Sequence, residues 1–193
     1  PDVRIVFDNF TLVELARKVV GVGSVGTRTW IALTTGAGPN DPLFLQIKEA
    51  PPSVLSNYVS GHSFTQQGER VVNGQRLMQA SSDIFLGWYS AVTPDGVTRD
   101  FYVRQLRDGK GSVVIESLDP DAMRLYGKLC GQTLAHAHAR AGDRFAIAGY
   151  LGDDKKFDKA IAQFAMDYAD ITERDYDQLT TAIKDGSVKA EDL

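Results

Sequence analysis

The sequence predicts an α+β fold: a small antiparallel five-stranded sheet with one packed helix, followed by a helical lobe. Three observations predict it. Two strand-like runs flank the turn-rich stretch TTGAGPNDP at 34–42. A second pair flanks Thr93-Pro94-Asp95-Gly96, a strong turn signal. One helical pattern lies between the pairs, and three further helical patterns follow it from residue 119 onward.

Taken in order, Val3, Ile5 and Phe7 alternate in an extended lead-in over residues 1–9. Residues 11–17 read as a short helical turn capped by Asn9 or Thr11, and residues 18–22 as the first strand. After Gly26, the threonines, Trp30 and Ile31 of 27–35 favour a second strand. Leu43, Leu45 and Ile47 alternate with Phe44, Gln46 and Lys48 in a third. Residues 50–65, with Pro51, Pro52 and Gly61, form a loop. Residues 66–81 form the packed helix, with Val71, Leu77 and Met78 on one face and Gly68 and Gly74 each weakening it by about 1 kcal/mol. Residues 83–90 and 98–106 are the last two strands.

The connector 107–112, RDGKGS, marks a boundary between domains 1–108 and 109–193. Asp119-Pro120-Asp121 starts a helix that stops at Gly142 and buries Leu125, Leu129, Cys130, Thr133, Leu134 and Ala137. Gly127 and Gly131 on one face suggest close packing against a neighbour. Residues 157–168 and 172–183 are two further helices, the second ending at Gly186.

The chain is organised around residues 19–48. Gly21-Val22-Gly23-Ser24-Val25-Gly26 fits GxGxxG, which serves two unrelated phosphate sites. In a dinucleotide oxidoreductase the third glycine opens a helix; here a strand follows it, which disfavours that reading. In a protein kinase the loop tips a hairpin, and a lysine follows on the third strand. Lys48 ends such a strand, 22 positions after Gly26, with the extra length taken up by the 34–42 turn. The alternative is a plain glycine-rich hairpin with a solvated lysine. A kinase helix would also carry a glutamate that pairs with the lysine. Glu69 is the one acidic residue in the helix, and it is either that partner or a solvated charge.

The composition narrows the classes. The chain has 193 residues and a net charge of −4, which argues against a nucleic-acid partner. No apolar run reaches membrane-spanning length. The single cysteine, Cys130, cannot form an internal disulfide, suits a reducing cytoplasm and reads as a small buried hydrophobe. His136 and His138, two apart on a helix, point about 200° apart and do not chelate one metal. With Arg140 and Asp143 they read as a polar cluster fixing the helix end, or as part of a lobe interface. Asparagine occurs only at 9, 40, 57 and 73, so no kinase catalytic-loop asparagine follows residue 108, and neither HRD nor DFG is present. Beginning at Pro1 without methionine, the chain reads as a fragment or processed product of something longer.

The stretches VVGVGSVGTRTW, PLFLQIKEA, GERVVNGQRLMQASSDIFLGW, YVRQLRDGKGS, LCGQTLAHAHARAGD and IAGYLG resemble the C-terminal part of a bacterial family, domain of unknown function 2252. That resemblance covers nearly the whole chain and is kinase-like in its signatures. It implies longer members whose N-terminal part carries a GDxHxxNFG-like and an FDxNDFD-like segment, similar to a catalytic and a metal-binding loop. It further implies that Gly21, Gly23, Ser24 and Gly26 form a phosphate loop and that Lys48 holds a phosphate of ATP. Mg²⁺ would then be held only with the N-terminal part. Members often have Glu where this chain has Asn73, and Gln46 stands where a kinase has a small residue under adenine. The expected function is the ATP-binding portion of a kinase-like phosphotransferase with an unknown acceptor, inactive alone. The contrasting expectation is a non-catalytic kinase-like binding module. Apolar surface left without the N-terminal part would favour self-association.

Overall fold

The structure is a computed structural model that describes residues 7–190 other than 20, 22–23, 39, 62–63 and 108–110. Most of the lead-in, Val20 and Val22 of the expected first strand, Gly23 and half of the 107–112 connector therefore lie outside the described residues.

Period-two alternation builds the sheet. Its strands are β1 (Thr11–Arg17), β2 (Thr29–Thr35), β3 (Pro42–Glu49), β4 (Gly87–Val92) and β5 (Thr98–Gln105). All neighbours pair antiparallel, in the order β1-β2-β3-β5-β4. One face of β3 carries Leu43, Leu45 and Ile47. With Ala32, Val103, Phe85, Phe7 and Phe10 these form the apolar core, and Phe7 and Phe10 meet Phe85 edge to face. The other face carries Gln46 and Lys48.

The first strand differs from expectation. Residues 11–17, read above as a helical turn, form β1, and Lys18 and Val19 lie beyond its end. Seven residues are too few for an independently stable helix, whereas the exposed edge of β2 offers a ladder. Thr11 stands across from Thr35 and Arg17 from Trp30, with a bulge between Leu12 and Glu14.

The packed helix, α1 (Gln67–Met78), lies against β4 and β5. Val72 is fully buried, whereas Leu77 and Met78 are about half exposed. The buried stripe therefore runs through Gly68 and Val72, not Val71, Leu77 and Met78. Gly68 is the contact point, since a Cβ there would stand 2.8 Å from the Phe101 carbonyl carbon and closer still to its oxygen. The start of α1 is fixed from the sheet. Asp100 of β5 accepts from the Gln67 N–H at 2.7 Å, and the Gln66 side chain accepts from the Glu69 N–H.

The helix α2 (Pro120–Ala141) begins at Asp119, whose carboxylate accepts from the Ala122 N–H at 2.8 Å, and ends at Gly142, as the sequence predicts. It packs against α1. Its apolar stripe is exposed, with Leu125, Leu129 and Leu134 each more than half accessible and Cys130 exposed. A Cβ at Gly127 or Gly131 would meet nothing within 4 Å. The expected burial of this stripe, of Cys130 and of the glycine pair is thus corrected: an amphipathic pattern encodes a face, and the described residues of 1–142 do not cover this one.

By contact density the chain divides into residues 1–142 and 143–193. The second unit holds α3 (Arg144–Leu151) and α4 (Lys156–Lys184). Sequence reasoning missed α3, which Asp143 caps by accepting from the Phe145 and Ala146 N–H groups. The two expected helices at 157–168 and 172–183 are one continuous α4. Thr172, expected to open the second, sits mid-helix and bonds back to the Tyr168 carbonyl at 2.9 Å. Tyr150 and Phe157 meet edge to face where α3 turns into α4. Among the described residues no helix is long and apolar enough to cross a membrane.

Candidate functional site

The ladder between β1 and β2 closes at Lys18, whose N–H donates to the Thr29 carbonyl at 2.9 Å. Residues 19–28 then form the loop. In its described part the Ser24 N–H donates to the Gly21 carbonyl, and the Thr27 N–H donates to the Ser24 carbonyl and closes a turn over 24–27. Gly26 takes φ +81°, the sign that a type II turn requires at its third residue. Among the described residues of the loop this is where glycine is needed; a Cβ at Gly21 would meet nothing within 4 Å.

Lys48 of β3 stands directly across from Thr29 of β2 on one side and from Tyr102 of β5 on the other. Residues opposite one another in an antiparallel ladder share a face. Thr29, Lys48 and Tyr102 therefore form one row, three residues past Gly26. Thr29 is 1% exposed, and its hydroxyl has no hydrogen-bond partner among the described residues. A buried orphan hydroxyl costs free energy and calls for an explanation. Desolvation raises the Tyr102 phenol above its usual range. Sequence reasoning missed Thr29, which lay hidden among the threonines around it.

The next row on this face is Ile31, Gln46 and Arg104. Gln46 is 5% exposed, and its Oε1 accepts from Arg104 Nε at 3.0 Å and Nη2 at 2.8 Å. Beside this pair is a cavity of about 200 Å³, lined among others by Gln75 of α1, by Gln79 at its C-terminal cap and by Asp83 and Arg107.

Glu69 lies in the first turn of α1. It precedes Arg76 by seven residues and so shares its flank of the helix. Arg76 on that flank donates to the Leu86 carbonyl at 2.8 Å and stacks over Trp88, at the β4 side of the sheet. Lys48 is on β3, beyond β5 from that edge.

A charged network that the sequence did not reveal ties the base of the loop to the turn between β4 and β5. Glu49 accepts from Arg28 at 3.1 Å and faces Arg99 Nε at 3.3 Å, and Asp95 accepts from Arg28 at 3.0 Å and Arg99 at 2.7 Å. Its members are separated by up to 71 positions, so only the strand order brings them together. Hydrogen bonds from Arg99, and then from the Thr93 hydroxyl, hold the Asp95 carboxyl far below the usual carboxylate range. A carboxyl whose folded pKa is depressed adds stability above its unfolded pKa, and that stability is lost as pH falls. Urea denaturation of Asp95→Asn should therefore show a stability deficit that is constant from pH 5 to 8 and narrows below about pH 4. A deficit unchanged into acid would contradict the assignment.

The cluster expected at the end of α2 is not one group. Arg140 donates to the Met78 carbonyl at 3.2 Å, while Asp143 caps α3. Among the described residues no group of three or more His, Cys, Asp or Glu side chains could hold a metal ion.

No match was found among curated proteins or among solved structures. A family model described as "Uncharacterized protein conserved in bacteria (DUF2252)" matches residues 1–182. With that span covering nearly all of its length, the chain belongs to this bacterial family.

Proposed function

We propose that this chain is the ATP-binding portion of a kinase-like phosphotransferase, inactive by itself, with residues 1–108 as the nucleotide lobe and 109–193 as part of a helical lobe. The observation that carries the reading is the place of Lys48. It is on the third strand of a five-stranded antiparallel sheet, across from Thr29, at the foot of the glycine loop, with a helix and two strands following. That is the order in which kinases arrange a phosphate-covering loop, a phosphate-binding lysine and a helix. The orphan Thr29 hydroxyl beside Lys48 supports a polar ligand on this face.

In this reading, backbone N–H groups of Gly21, Gly23 and Gly26, the hydroxyl of Ser24, whose own N–H is bonded to the Gly21 carbonyl, and Lys48 orient the phosphates electrostatically. Mg²⁺ binding and activation of the acceptor belong to acids outside this sequence. Glu69, on the β4 flank, is the weakest member of the proposed set. Thermal unfolding with and without ATP and Mg²⁺ tests the reading. Nucleotide at 100 times its dissociation constant adds about 2.7 kcal/mol, or roughly 5–10 °C here, and Lys48→Ala should lose most of it. No shift in the native chain would remove the support for a nucleotide site within this sequence.

The second reading, a kinase-like binding module without catalysis, is favoured by one feature. Gln46 and Arg104 occupy the face next to Lys48 where a kinase leaves room for adenine. Exposed apolar side chains such as Leu125 and Leu129 on α2 support self-association as well; a molecular mass that does not change on dilution and stays that of the monomer would refute it.

A further inference from the structure

We infer that the cavity beside Gln46 and Arg104 is a binding site for a small oxyanion, a carboxylate or phosphate group carried by a compact metabolite. The inference is independent of the nucleotide reading and concerns a different set of side chains.

The first support is the amide orientation of Gln46. Arginine only donates hydrogen bonds, so the atom facing Arg104 Nε and Nη2 must be the Gln46 carbonyl oxygen. The Gln46 NH₂ then remains as a donor on a residue that lines the cavity. An oxyanion in the cavity would accept from it.

The second support is the charge of Arg104. Its guanidinium is half-buried, yet its hydrogen-bond partner is a neutral amide, and no ion pair joins it or Arg107 to a carboxylate among the described residues. Buried charges are normally paired. Asp83, which also lines the cavity, is engaged with backbone instead: Oδ1 accepts from the Phe85 N–H at 2.9 Å and Oδ2 from the Gln105 N–H at 2.5 Å. The fork formed by Nε and Nη2 of Arg104 is taken by Gln46, but the end-on fork formed by Nη1 and Nη2 is not. That fork matches the two oxygens of a carboxylate or phosphate. Gln75, Gln79 and the exposed Arg107 can add donors at the rim.

Size sets the ligand class. A cavity of about 150 Å³ holds benzene, and sites for larger organic ligands run from about 300 Å³ upward. The roughly 200 Å³ here suits a ligand of the size of a four-carbon dicarboxylate or a free phosphate, not a whole nucleotide.

The test is a pair of titrations of this chain, without nucleotide, using succinate and inorganic phosphate at ionic strength held constant with chloride. Melting temperature should rise and saturate with at least one of them; which one saturates distinguishes a carboxylate from a phosphate source. Gln46→Glu is nearly isosteric and gives Arg104 an internal carboxylate, so the variant should fold and lose the rise. Arg107→Ala, at the exposed rim, should raise the half-saturating concentration roughly tenfold. A rise linear in anion and equal in the native chain and both variants is general exclusion of the salt from the surface and would overturn the inference. So would no rise with either probe.

Discussion

Replacing Phe101 by alanine is expected to cost about 3–5 kcal/mol of stability. Phe101 is 2% exposed and sits at the middle of β5, the strand that joins β3 to β4. Its ring stacks on Tyr89 at 5.4 Å between centroids, so the truncation removes both apolar burial and an aromatic contact. The backbone around it carries the helix: its carbonyl is the surface that Gly68 touches, and its neighbour Asp100 holds the first N–H of α1. A cavity at Phe101 should therefore loosen α1 as well as the sheet. Chemical denaturation of the variant, followed by far-ultraviolet circular dichroism, reads the loss. A cost below about 1 kcal/mol would mean that Phe101 is not a core residue.

The second large effect runs against helix propensity. Gly68→Ala would stabilise an isolated helix by about 1 kcal/mol. In this fold the new methyl would press on the backbone of Phe101, with the carbonyl carbon at 2.8 Å and the oxygen nearer. Backbone cannot rotate away as a side chain can, so α1 must lift from β5. The expected outcome is a net loss of about 2 kcal/mol. Gly74→Ala is the matched control, because a Cβ there would meet only the Met78 methyl at 3.8 Å. It should gain about 0.5–1 kcal/mol. Two glycines six residues apart in one helix should thus shift the denaturation midpoint in opposite directions, and shifts of the same sign would refute the close contact at Gly68.

These two residues also show what the sequence could reveal. The sheet was legible because Leu43, Leu45 and Ile47 alternate and because Thr93-Pro94-Asp95-Gly96 can only turn. The start and stop of α2 were legible because capping is local chemistry, carried by Asp119 and Gly142. Partnership was not legible. Residues 11–17 have a composition that suits a helix and become a strand because β2 has an edge to pair. Gly68 read as a helix weakness and is a contact, since the Phe101 backbone that it meets is 33 positions away. The Arg28, Glu49, Asp95 and Arg99 network is invisible until the strands are ordered. Apolar stripes identified which faces could pack, but not whether a partner covers them, as Leu125 and Leu129 show.

The candidate site divides in the same way. The glycine loop and Lys48 are neighbours in a pattern that the chain carries locally, so their proximity could be expected. Thr29, Arg104 and the cavity are products of register, because β2 and β5 bring them to the face of β3 that holds Gln46 and Lys48. Glu69 illustrates the limit: residue type alone nominated it, while the flank it occupies follows Arg76 toward β4.

The proposal that Lys48 and the glycine loop form a nucleotide site is tested most directly by calorimetric titration of ATP with Mg²⁺ into the native chain and into Lys48→Ala. The expected result is one site per chain, weakened about tenfold or more by the substitution, as loss of a charge-assisted phosphate contact implies. Equal affinity in the two proteins, or no binding to the native chain, would contradict the proposal.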